Sequence, residues 1–367
     1  MYLIVGAGLS GAVIAERIAS CLGERVTVID HRKQVGGNIY DYKDANGITA
    51  HKYGPHAFHT NDAGVWEYLS RFTDWEPYFH RVEAVVDGID IPLPFNFNSI
   101  DLLFAGNQAG RLIDGLTDVY GRGKSISIKT LLAEPRFKEL ALYVYEKVFK
   151  GYSLKQWGLS LEALDESVME RVPVVTSRDN RYFHDKYQAV PGGGYTRLIE
   201  KMLDSPLIEL ELDCPFRHEN IGRYKKIIYT GMIDQYFDYV HGALPYRSLR
   251  FEMKTKEVEF YQRTAQKNYP ENFDFTRITE FKHFLQEKSP VTTICLEFPQ
   301  DYAPGANEAF YPVNNPASYR LYQQYELLAS AEKNTVFLGR LAQYRYLNMD
   351  QVVRLALDRF LELAHGR

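Results

Sequence analysis

The sequence predicts an α/β fold in which a Rossmann-like dinucleotide-binding domain carries a helical bundle insertion and an antiparallel β-sheet domain. Three observations support this prediction. The chain begins with a short apolar run, a glycine-rich turn and a helical pattern, a long middle region repeats apolar residues at helical spacing, and later segments alternate apolar and polar residues. A length of 367 residues is too great for one compact core, so two or three domains are expected.

The first element is an apolar strand at residues 3–5, and Gly6-Ala7-Gly8-Leu9-Ser10-Gly11 after it fits the pattern G-x-G-x-x-G. The first glycine permits a tight turn, the second lets the backbone approach a pyrophosphate, and the third lets the helix pack on the strand. A second strand, residues 26–29, ends at Asp30, where a carboxylate would hold a ribose 2′-OH. We therefore predict that a dinucleotide binds here, with its pyrophosphate at the helix N-terminus.

Two further stretches refine the prediction of the cofactor. Gly36-Gly37-Asn38 favours FAD over a nicotinamide dinucleotide, because bare backbone there can approach the second phosphate and the ribitol closely. Residues 51–60 contain three histidines, but Gly54-Pro55 breaks any helix and no cysteine or carboxylate lies at metal-ligand spacing. We predict a loop that lines the cofactor pocket, with His56 nearest the flavin, in preference to a metal site.

Composition and charge exclude several classes of function. The net charge is −4, and no run of lysine and arginine is long enough for a nucleic-acid footprint. No apolar stretch reaches the roughly 18 residues that a membrane-spanning helix needs, and the start lacks the basic region of a signal peptide. Cys21, Cys214 and Cys295 are scattered and odd in number, which favours a reducing compartment. We therefore expect a cytoplasmic protein without nucleic-acid partners or a membrane span.

The rest of the chain is predicted to form a hairpin, a helical region, an antiparallel sheet and a final strand and helix. Residues 81–93 predict a hairpin with an Asp87-Gly88 turn, residues 99–164 are mostly helical, and Gly151 is expected to end a helix over 137–150 before a loop at 152–158. Thr196 is the predicted N-cap of a helix, strands follow at 208–212 and 226–230, and 246–298 predicts an antiparallel sheet. A strand, a glycine and a helix capped by Asn348 complete the pattern. The predicted domains are FAD-binding (1–75, 195–239 and 315–367), helical (98–165), and sheet and substrate (76–97, 166–194 and 240–314).

Outside the glycine loop, the chemistry-bearing residues are aromatic residues and arginines beside loops. Arg277 stands out, because an arginine between apolar residues of a central strand needs an anionic partner. Arginine forks and tyrosine hydroxyls together suit a pyrophosphate.

A series of motifs covers nearly the whole chain. In order, they are HKYGPHAFHT (51–60), PLPFNFN (92–98), KGYSLKQWG (150–158), ERVPV (170–174), NRYF (180–183), PGGGYTRLIEKML (191–203), YTGMIDQYFDY (229–239), YRSLRFE (246–252), FTRITEFKHF (275–284), FYPVN (310–314) and GRLAQYRY (339–346). This series resembles the UDP-galactopyranose mutase family.

The resemblance implies an isomerase that interconverts the pyranose and furanose forms of UDP-galactose without net redox change, although its FAD must be reduced, with NAD(P)H as the external reductant. It implies that flavin N5 attacks the anomeric carbon as the nucleoside diphosphate leaves, and that the sugar ring opens and recloses before the diphosphate returns. The product would supply furanose for a cell-surface polysaccharide. Bacterial relatives are commonly dimers, so a homodimer is expected.

The resemblance also implies the site residues. Arg171, Arg277 and His56 are the expected catalytic residues, and the two arginines would clamp the diphosphate. The expected substrate-binding residues are Tyr152, Gln156, Trp157, Arg171, Tyr182, Phe183, Arg247, Arg277, Tyr311, Tyr346 and His80. The glycine loop and the resemblance together give the expected cofactor-binding residues Gly6, Gly8, Ser10, Gly11, Asp30, His31, Arg32, Gly37, Asn38, His56, Gly339, Arg340, Tyr346, Asn348 and Met349.

The chain departs from the family pattern at several positions. Gln343 and Asn348 replace acids that bacterial members usually carry, Val148 stands where an aromatic often helps to sandwich the uracil, and His80-Arg81 replaces a more commonly neutral pair. These positions are expected around the base and the sugar, so another nucleotide sugar, such as dTDP-fucopyranose, is the first alternative substrate. Two more classes of function remain open, an FAD oxidase or desaturase and a non-catalytic flavin-binding protein.

Overall fold

A computed structural model describes residues 1–158, 173–313 and 315–366. Its centre is a five-stranded parallel sheet, in which the central strands are apolar along most of their length because both faces are covered, whereas the edge strand Ile208–Leu212 is largely exposed. The strand order across this sheet is Ile208–Leu212, Val26–Asp30, Tyr2–Val5, Lys226–Tyr229 and Thr335–Phe337. One face packs against three helices that share its main hydrophobic core, Leu9–Arg17, Tyr195–Leu203 and Met349–Ala364.

A second sheet has seven strands and is antiparallel except at one pair. Its order is Tyr311–Pro312, Tyr246–Lys256, Thr292–Asp301, Arg277–Glu280, Gln266–Asn268, Val82–Val86 and Ile89–Leu93. The exception is the parallel pairing of residues 266–268 with residues 82–84. The predicted hairpin is present, and Asp87 and Gly88 have φ angles of 49° and 78°, as a two-residue Asp-Gly turn requires.

The region between the hairpin and residue 158 is helical and has its own core. Its α-helices are Phe97–Leu103, Gly106–Tyr120, Ile128–Ala133, Lys138–Val144 and Gly151–Trp157, with a π-helical turn at Tyr145–Lys150. Val148 is buried in this core beside Val144 and Leu140. The predicted loop at 152–158 is wrong, because the chain stays helical through Gly151 and ends its helix at Gly158, which has a φ of 67°.

The helix at 195–203 begins differently from the prediction. Thr196 is inside the helix, and its N-terminus is capped instead by Asp41, whose carboxylate oxygens accept from the backbone N–H groups of Tyr195 at 2.6 Å and Thr196 at 2.9 Å. A carboxylate at a helix N-terminus satisfies orphan donors and favours the helix dipole. This cap ties the helix to a strand about 150 residues earlier in the chain.

The remaining elements are short. The strands are Asp41–Lys43, Thr49–His51, Phe58–Thr60, Trp75–Pro77, Phe95–Asn96, Ser125–Ile126, Val174–Val175 and Tyr187–Pro191, and the α-helices are Ala63–Leu69, Ile233–Tyr236, Lys282–Leu285 and Pro316–Ala331. A π-helical turn covers Ile18–Leu22, and single 3₁₀ turns cover Gly37–Ile39, Pro135–Phe137 and His218–Arg223. Within the described ranges, no helix is both long and apolar enough to cross a bilayer. The predicted domain boundaries stay predictions.

Candidate active site

A cavity of about 780 Å³ opens at the carboxyl ends of the central parallel strands. Val5, Asp30 and Tyr229 end three neighbouring strands and all line it. Crevices at this edge are where parallel sheets bind ligands, and the volume is within the range of small-molecule and cofactor sites. The predicted cofactor residues that line it are Gly6, Gly8, Ser10, Asp30, His31, Arg32, Gly37, Asn38, His56, Arg340 and Met349.

The glycines of the loop are held by backbone packing. A Cβ on Gly11 would lie 1.9 Å from the carbonyl oxygen of Gly6, and a Cβ on Gly6 would lie 2.1 Å from Thr230 Oγ1. Gly37 approaches the loop so closely that its Cβ would lie 2.9 Å from the Cα of Gly8. The two glycine-rich segments therefore form one bare backbone surface beside the N-terminus of the helix Leu9–Arg17, which suits a pyrophosphate.

Asp30 and Arg32 shape the cavity wall next to this surface. The carboxylate of Asp30 accepts from the backbone N–H groups of Ala7 and Arg32, both at 2.8 Å. The guanidinium of Arg32 donates to Asn38 Oδ1 at 3.0 Å and to Glu308 Oε2 at 2.7 Å, and it lies 4.4 Å from the ring centroid of Tyr53. Its Nε is buried and has no hydrogen-bond partner within the part of the chain that the structure describes.

Two more buried nitrogens, His56 Nδ1 and Arg340 Nε, belong to residues that line the same cavity and have no partner in residues 1–158, 173–313 and 315–366. Burial lowers the pKa of His56 to about 3, with smaller contributions from His51, Arg340 and Arg277, so its imidazole is neutral at pH 7. Buried polar atoms are almost always hydrogen-bonded in native proteins. Orphan nitrogens of His56, Arg340 and Arg32 around one cavity therefore indicate a bound group rich in acceptors.

Arg340 connects the cavity to the aromatic residues predicted to bind substrate. Its guanidinium carbon lies 5.0 Å from the ring centroid of Tyr346 and 5.6 Å from that of Tyr311. These two rings stack on each other with centroids 5.8 Å apart. One cation thus faces both the cavity and two of the tyrosines predicted to bind substrate.

The anionic partner that Arg277 requires is Glu297, which the sequence analysis did not identify. Glu297 Oε2 accepts from Arg277 Nε at 2.8 Å and from Nη2 at 2.7 Å, while the buried Oε1 has no partner among the residues that the structure describes. Burial opposes the charge of Arg277, yet Glu297 and then the hydroxyls of Tyr152 and Tyr311 raise its pKa above the ordinary value. Burial raises the pKa of Tyr311 to about 12, so its hydroxyl stays protonated as a donor.

The other predicted substrate residues surround this pair. Burial raises the pKa of Tyr152. Arg277 lowers this pKa, and Glu297 and Tyr182 raise it, so all three residues lie close enough to act electrostatically on the Tyr152 hydroxyl. His80 packs against the rings of Tyr182 and Phe183, each with a centroid distance of 5.8 Å. Burial and then Arg277 lower the pKa of His80 to about 3, which keeps it neutral.

Arg247 does not face this group of residues with its guanidinium donors. It is buried, and it donates from Nε to the carbonyl of Gln156 at 3.1 Å, from Nη2 to that of Lys155 at 3.2 Å, and from Nη1 to the carboxylate of Asp301. Arg247 thus holds the end of the helix Gly151–Trp157. Gln156 is buried on that helix, and its Oε1 has no hydrogen-bond partner among the described residues.

A UDP-galactopyranose mutase family model matches residues 147–346, and an NAD(P)-binding Rossmann-like domain model matches residues 4–72. A protein named probable UDP-galactopyranose mutase from Klebsiella pneumoniae is 38% identical over 365 residues, which is 98% of this chain and 94% of the relative. The chain belongs to the UDP-galactopyranose mutase family. The resemblance read from the motifs is confirmed, and so is the prediction of an isomerase.

Two further similarities define the chain within the UDP-galactopyranose mutase family. A dTDP-fucopyranose mutase from Escherichia coli is 34% identical over 97% of this chain and 96% of its own length. A crystal structure of reduced UDP-galactopyranose mutase has a TM-score of 0.73 at 17% identity and covers 100% of this chain and 96% of that one, so the two folds are alike. The predicted fold class is confirmed.

The departures from the family pattern have different structural settings. Gln343 Oε1 accepts from the backbone N–H of Gly339 at 3.3 Å, so its side-chain amide oxygen stabilises a turn next to the cavity. Asn348 precedes the helix Met349–Ala364, and its N–H donates to Gln351 Oε1 at 2.8 Å. Val148 is buried in the helical core, where it cannot present its side chain to a base.

Several family positions lie away from the cavity or outside the described residues. Gly11, Gly339, Tyr346 and Asn348 are not among the residues that line the cavity, although a Cβ on Gly339 would lie 2.7 Å from Ser10 Oγ. Arg171 lies outside the described residues, and so does the side chain of Trp157.

Sequence reasoning missed the far wall of the cavity. The lining residues that it did not predict include Cys214, Phe216, Thr230, Met232, Tyr302 and Glu308. Thr230 and Met232 directly follow a parallel strand, and the rule that ligands bind at carboxyl ends of such strands was the signal for them. No comparable signal existed for Glu308, which lies in the loop between two strands of the second sheet, Thr292–Asp301 and Tyr311–Pro312.

Proposed function

We propose that this chain interconverts UDP-galactopyranose and UDP-galactofuranose, with FAD bound in the cavity and active only when reduced. Family membership supports the isomerase activity, and the UDP-galactopyranose mutases of Klebsiella pneumoniae and Mycoplasma genitalium, at 38% and 35% identity, support this substrate. The observation that carries the proposal is the position of Arg340. It joins the cavity expected to hold the cofactor to the tyrosines expected to hold the nucleotide.

The residues present fit FAD. The bare backbone of Gly6, Gly8 and Gly37 leaves room for a pyrophosphate at a helix N-terminus. The unpartnered nitrogens of Arg32, His56 and Arg340 can donate to phosphate, ribitol or ring acceptors of a long dinucleotide. The chemistry that FAD supplies when bound and reduced is a nucleophilic ring nitrogen able to displace a diphosphate from an anomeric carbon.

The chain's own residues then retain and orient the leaving group. Glu297 fixes the guanidinium of Arg277 through two of its five N–H donors, so the fork has further donors to present to a diphosphate. The protonated hydroxyls of Tyr152 and Tyr311 can donate to the same oxygens. Holding the nucleotide in place makes its return to the sugar effectively unimolecular. Neutral His56 can donate or accept a hydrogen bond at the cavity without adding charge.

The test is turnover of UDP-galactofuranose by purified enzyme in two redox states, followed by chromatographic separation of the pyranose product. We expect product only after reduction with dithionite or NAD(P)H, and no oxygen consumption in proportion to product. Equal activity with oxidised flavin would refute the proposed chemistry. A net-oxidised product with stoichiometric oxygen uptake would instead indicate an oxidase.

A second candidate substrate is dTDP-fucopyranose, because a dTDP-fucopyranose mutase is 34% identical to the chain along nearly its whole length. The two activities share their chemistry, so only a direct comparison separates them. Reduced enzyme is assayed with both nucleotide sugars at equal concentration. A kcat/KM higher for the dTDP sugar would assign the second substrate.

The resemblance also supports a cytoplasmic homodimer that takes electrons from NAD(P)H and supplies furanose for a polysaccharide. Cys21, Cys214 and Cys295 of this chain are free, which is consistent with a reducing compartment. Light scattering on the purified protein measures the assembly state, and a monomer at micromolar concentration would contradict the dimer.

A further inference from the structure

The ammonium group of Lys155 lies in a ring of backbone carbonyl oxygens. Its Nζ donates to the carbonyls of Glu271, Phe273 and Phe275 at 3.0, 3.2 and 3.3 Å, and also to that of Tyr269. An ammonium has three N–H donors, so four acceptors share them and the ring stabilises the charge as a unit.

The ring belongs to one loop, and the same loop contacts the lysine's helix at a second point. The carbonyls come from the connection between the strands Gln266–Asn268 and Arg277–Glu280. One turn before Lys155, Gly151 packs against Pro270 so closely that a Cβ there would lie 2.2 Å from the Pro270 carbonyl oxygen. Glycine at 151 and lysine at 155 thus both serve the contact between helix and loop.

This contact sets the spacing between two halves of the substrate site. The helix carries Tyr152 and Gln156, and the loop continues directly into Arg277. Among the neighbouring charges, Arg277 has the largest effect on the pKa of the Tyr152 hydroxyl, which it lowers. We propose that Lys155 is a positioning residue that holds Tyr152 at its working distance from Arg277 and so sets the affinity for the nucleotide diphosphate. This inference rests on the proposed function.

The surrounding carbonyl oxygens stabilise the positive charge of Lys155, and this charge is present at neutral pH. Burial lowers the pKa of Lys155 to about 8, with Asp274 acting in the opposite direction. Two charged residues next to this contact are paired with other groups, since the Glu271 carboxylate accepts from Lys147 Nζ at 3.0 Å and Arg247 donates to the backbone carbonyl of Lys155 at 3.2 Å. The ammonium is therefore charged below about pH 8 and neutral above it.

The experiment compares Lys155→Met with Lys150→Met, in which the exposed partner of Glu146 on the preceding turn is removed. For each holoenzyme we measure the dissociation constant for UDP, kcat, KM, flavin content and amide hydrogen exchange. We expect Lys155→Met to raise the UDP dissociation constant and KM by about tenfold or more, while kcat changes by less than about threefold and flavin content stays constant. Its amides at 151–157 should exchange faster, and Lys150→Met should behave as wild type.

The pH dependence is a second readout that a purely structural lysine would not produce. In the wild-type enzyme UDP affinity should fall between pH 7 and pH 9 as the ammonium loses its proton, and in Lys155→Met this fall should be absent. An affinity for UDP that Lys155→Met leaves unchanged overturns the inference. So does the same pH profile in both proteins.

A second variant keeps the inference testable if Lys155→Met does not fold. Gly151→Ala retains the lysine but pushes the helix away from Pro270, so it should raise KM in the same direction; an unchanged KM would count against the inference. Wild-type enzyme that binds no UDP at all would contradict the proposed function. UDP binding that is normal in wild type and insensitive to both variants would contradict only the role of Lys155.

Discussion

Arg277 is the cation on which the candidate substrate site depends, and Glu297 determines how it is presented. Both hydrogen bonds of the pair go to one carboxylate oxygen, and the other oxygen is buried without a partner. A buried ion pair of this kind adds little net stability, but removal of one partner leaves an uncompensated charge. The pair is better explained as a device that orients a guanidinium before an anion binds.

Arg277→Ala should therefore abolish turnover while the cofactor stays bound. We expect kcat/KM to fall by about a thousandfold, from loss of an oriented charge at the diphosphate and from the unpaired Glu297. The flavin absorption spectrum should be retained. Arg250→Ala is the matched control, because Arg250 is an exposed arginine in the same sheet. Unaltered kinetics in Arg277→Ala would remove this residue from the site.

The sequence predicted that Arg277 needs an anionic partner, but it did not identify Glu297 as that partner. Arg277 between apolar neighbours required an anion, and a phosphate was the expected one. Glu297 is 20 residues away and meets Arg277 across two antiparallel strands, a register that no local pattern specifies. The hydrogen bonds of Arg247 to a helix end were likewise not predicted, and its role in binding substrate stays a prediction.

Among the elements, the helix Tyr195–Leu203 shows how distant segments complete local structure. Its cap is Asp41, which is buried and accepts from two N–H groups of the first turn. Local sequence suggested Thr196, the residue type that usually caps a helix. The side chain of Thr196 instead donates to the carbonyl of Asp41 at 2.8 Å, so the two segments are joined reciprocally.

Asp41→Ala should lower the free energy of unfolding by about 1–2 kcal/mol, because two backbone donors lose their acceptor. Urea denaturation measures the change. Asp204→Ala, at the exposed other end of the same helix, should be neutral within about 0.5 kcal/mol. Equal losses in both variants would show that the cap contributes nothing specific.

Gly151 explains why the predicted helix end at residue 150 is wrong. Glycine usually marks a helix end, and here it lies inside a helix because the Pro270 carbonyl occupies the place of a side chain. Close backbone contacts between remote segments are invisible to a propensity argument. The strands of the parallel sheet were easier to predict, since most are short apolar runs and the strand Ile208–Leu212 alternates apolar and acidic residues.

For the molecule as a whole, buried neutral histidines predict sensitivity to acid. Burial lowers the pKa of His51 and of His80 to about 3, against about 6.5 in an unfolded chain. Between these values the unfolded state binds more protons, so stability is fully present above about pH 6.5 and is lost as the pH falls towards 3.

Each of these histidines should lower the free energy of unfolding by at most about 1.4 kcal/mol for every pH unit below 6.5. We expect the urea midpoint to fall between pH 7 and pH 5, and to fall less in His51→Asn, whose amide oxygen can still accept from the His56 N–H. His365→Asn, at an exposed helix end, should follow wild type. A midpoint independent of pH in wild type would contradict the assignment of neutral histidines.

The cofactor cavity takes its walls from Val5 at one end of the chain to Val352 near the other. During synthesis, therefore, the glycine loop emerges from the ribosome long before the residues that must close over it. A dinucleotide can meet all of these walls only after the chain has been synthesised as far as Val352, and translation products that stop earlier would leave the crevice incomplete and exposed.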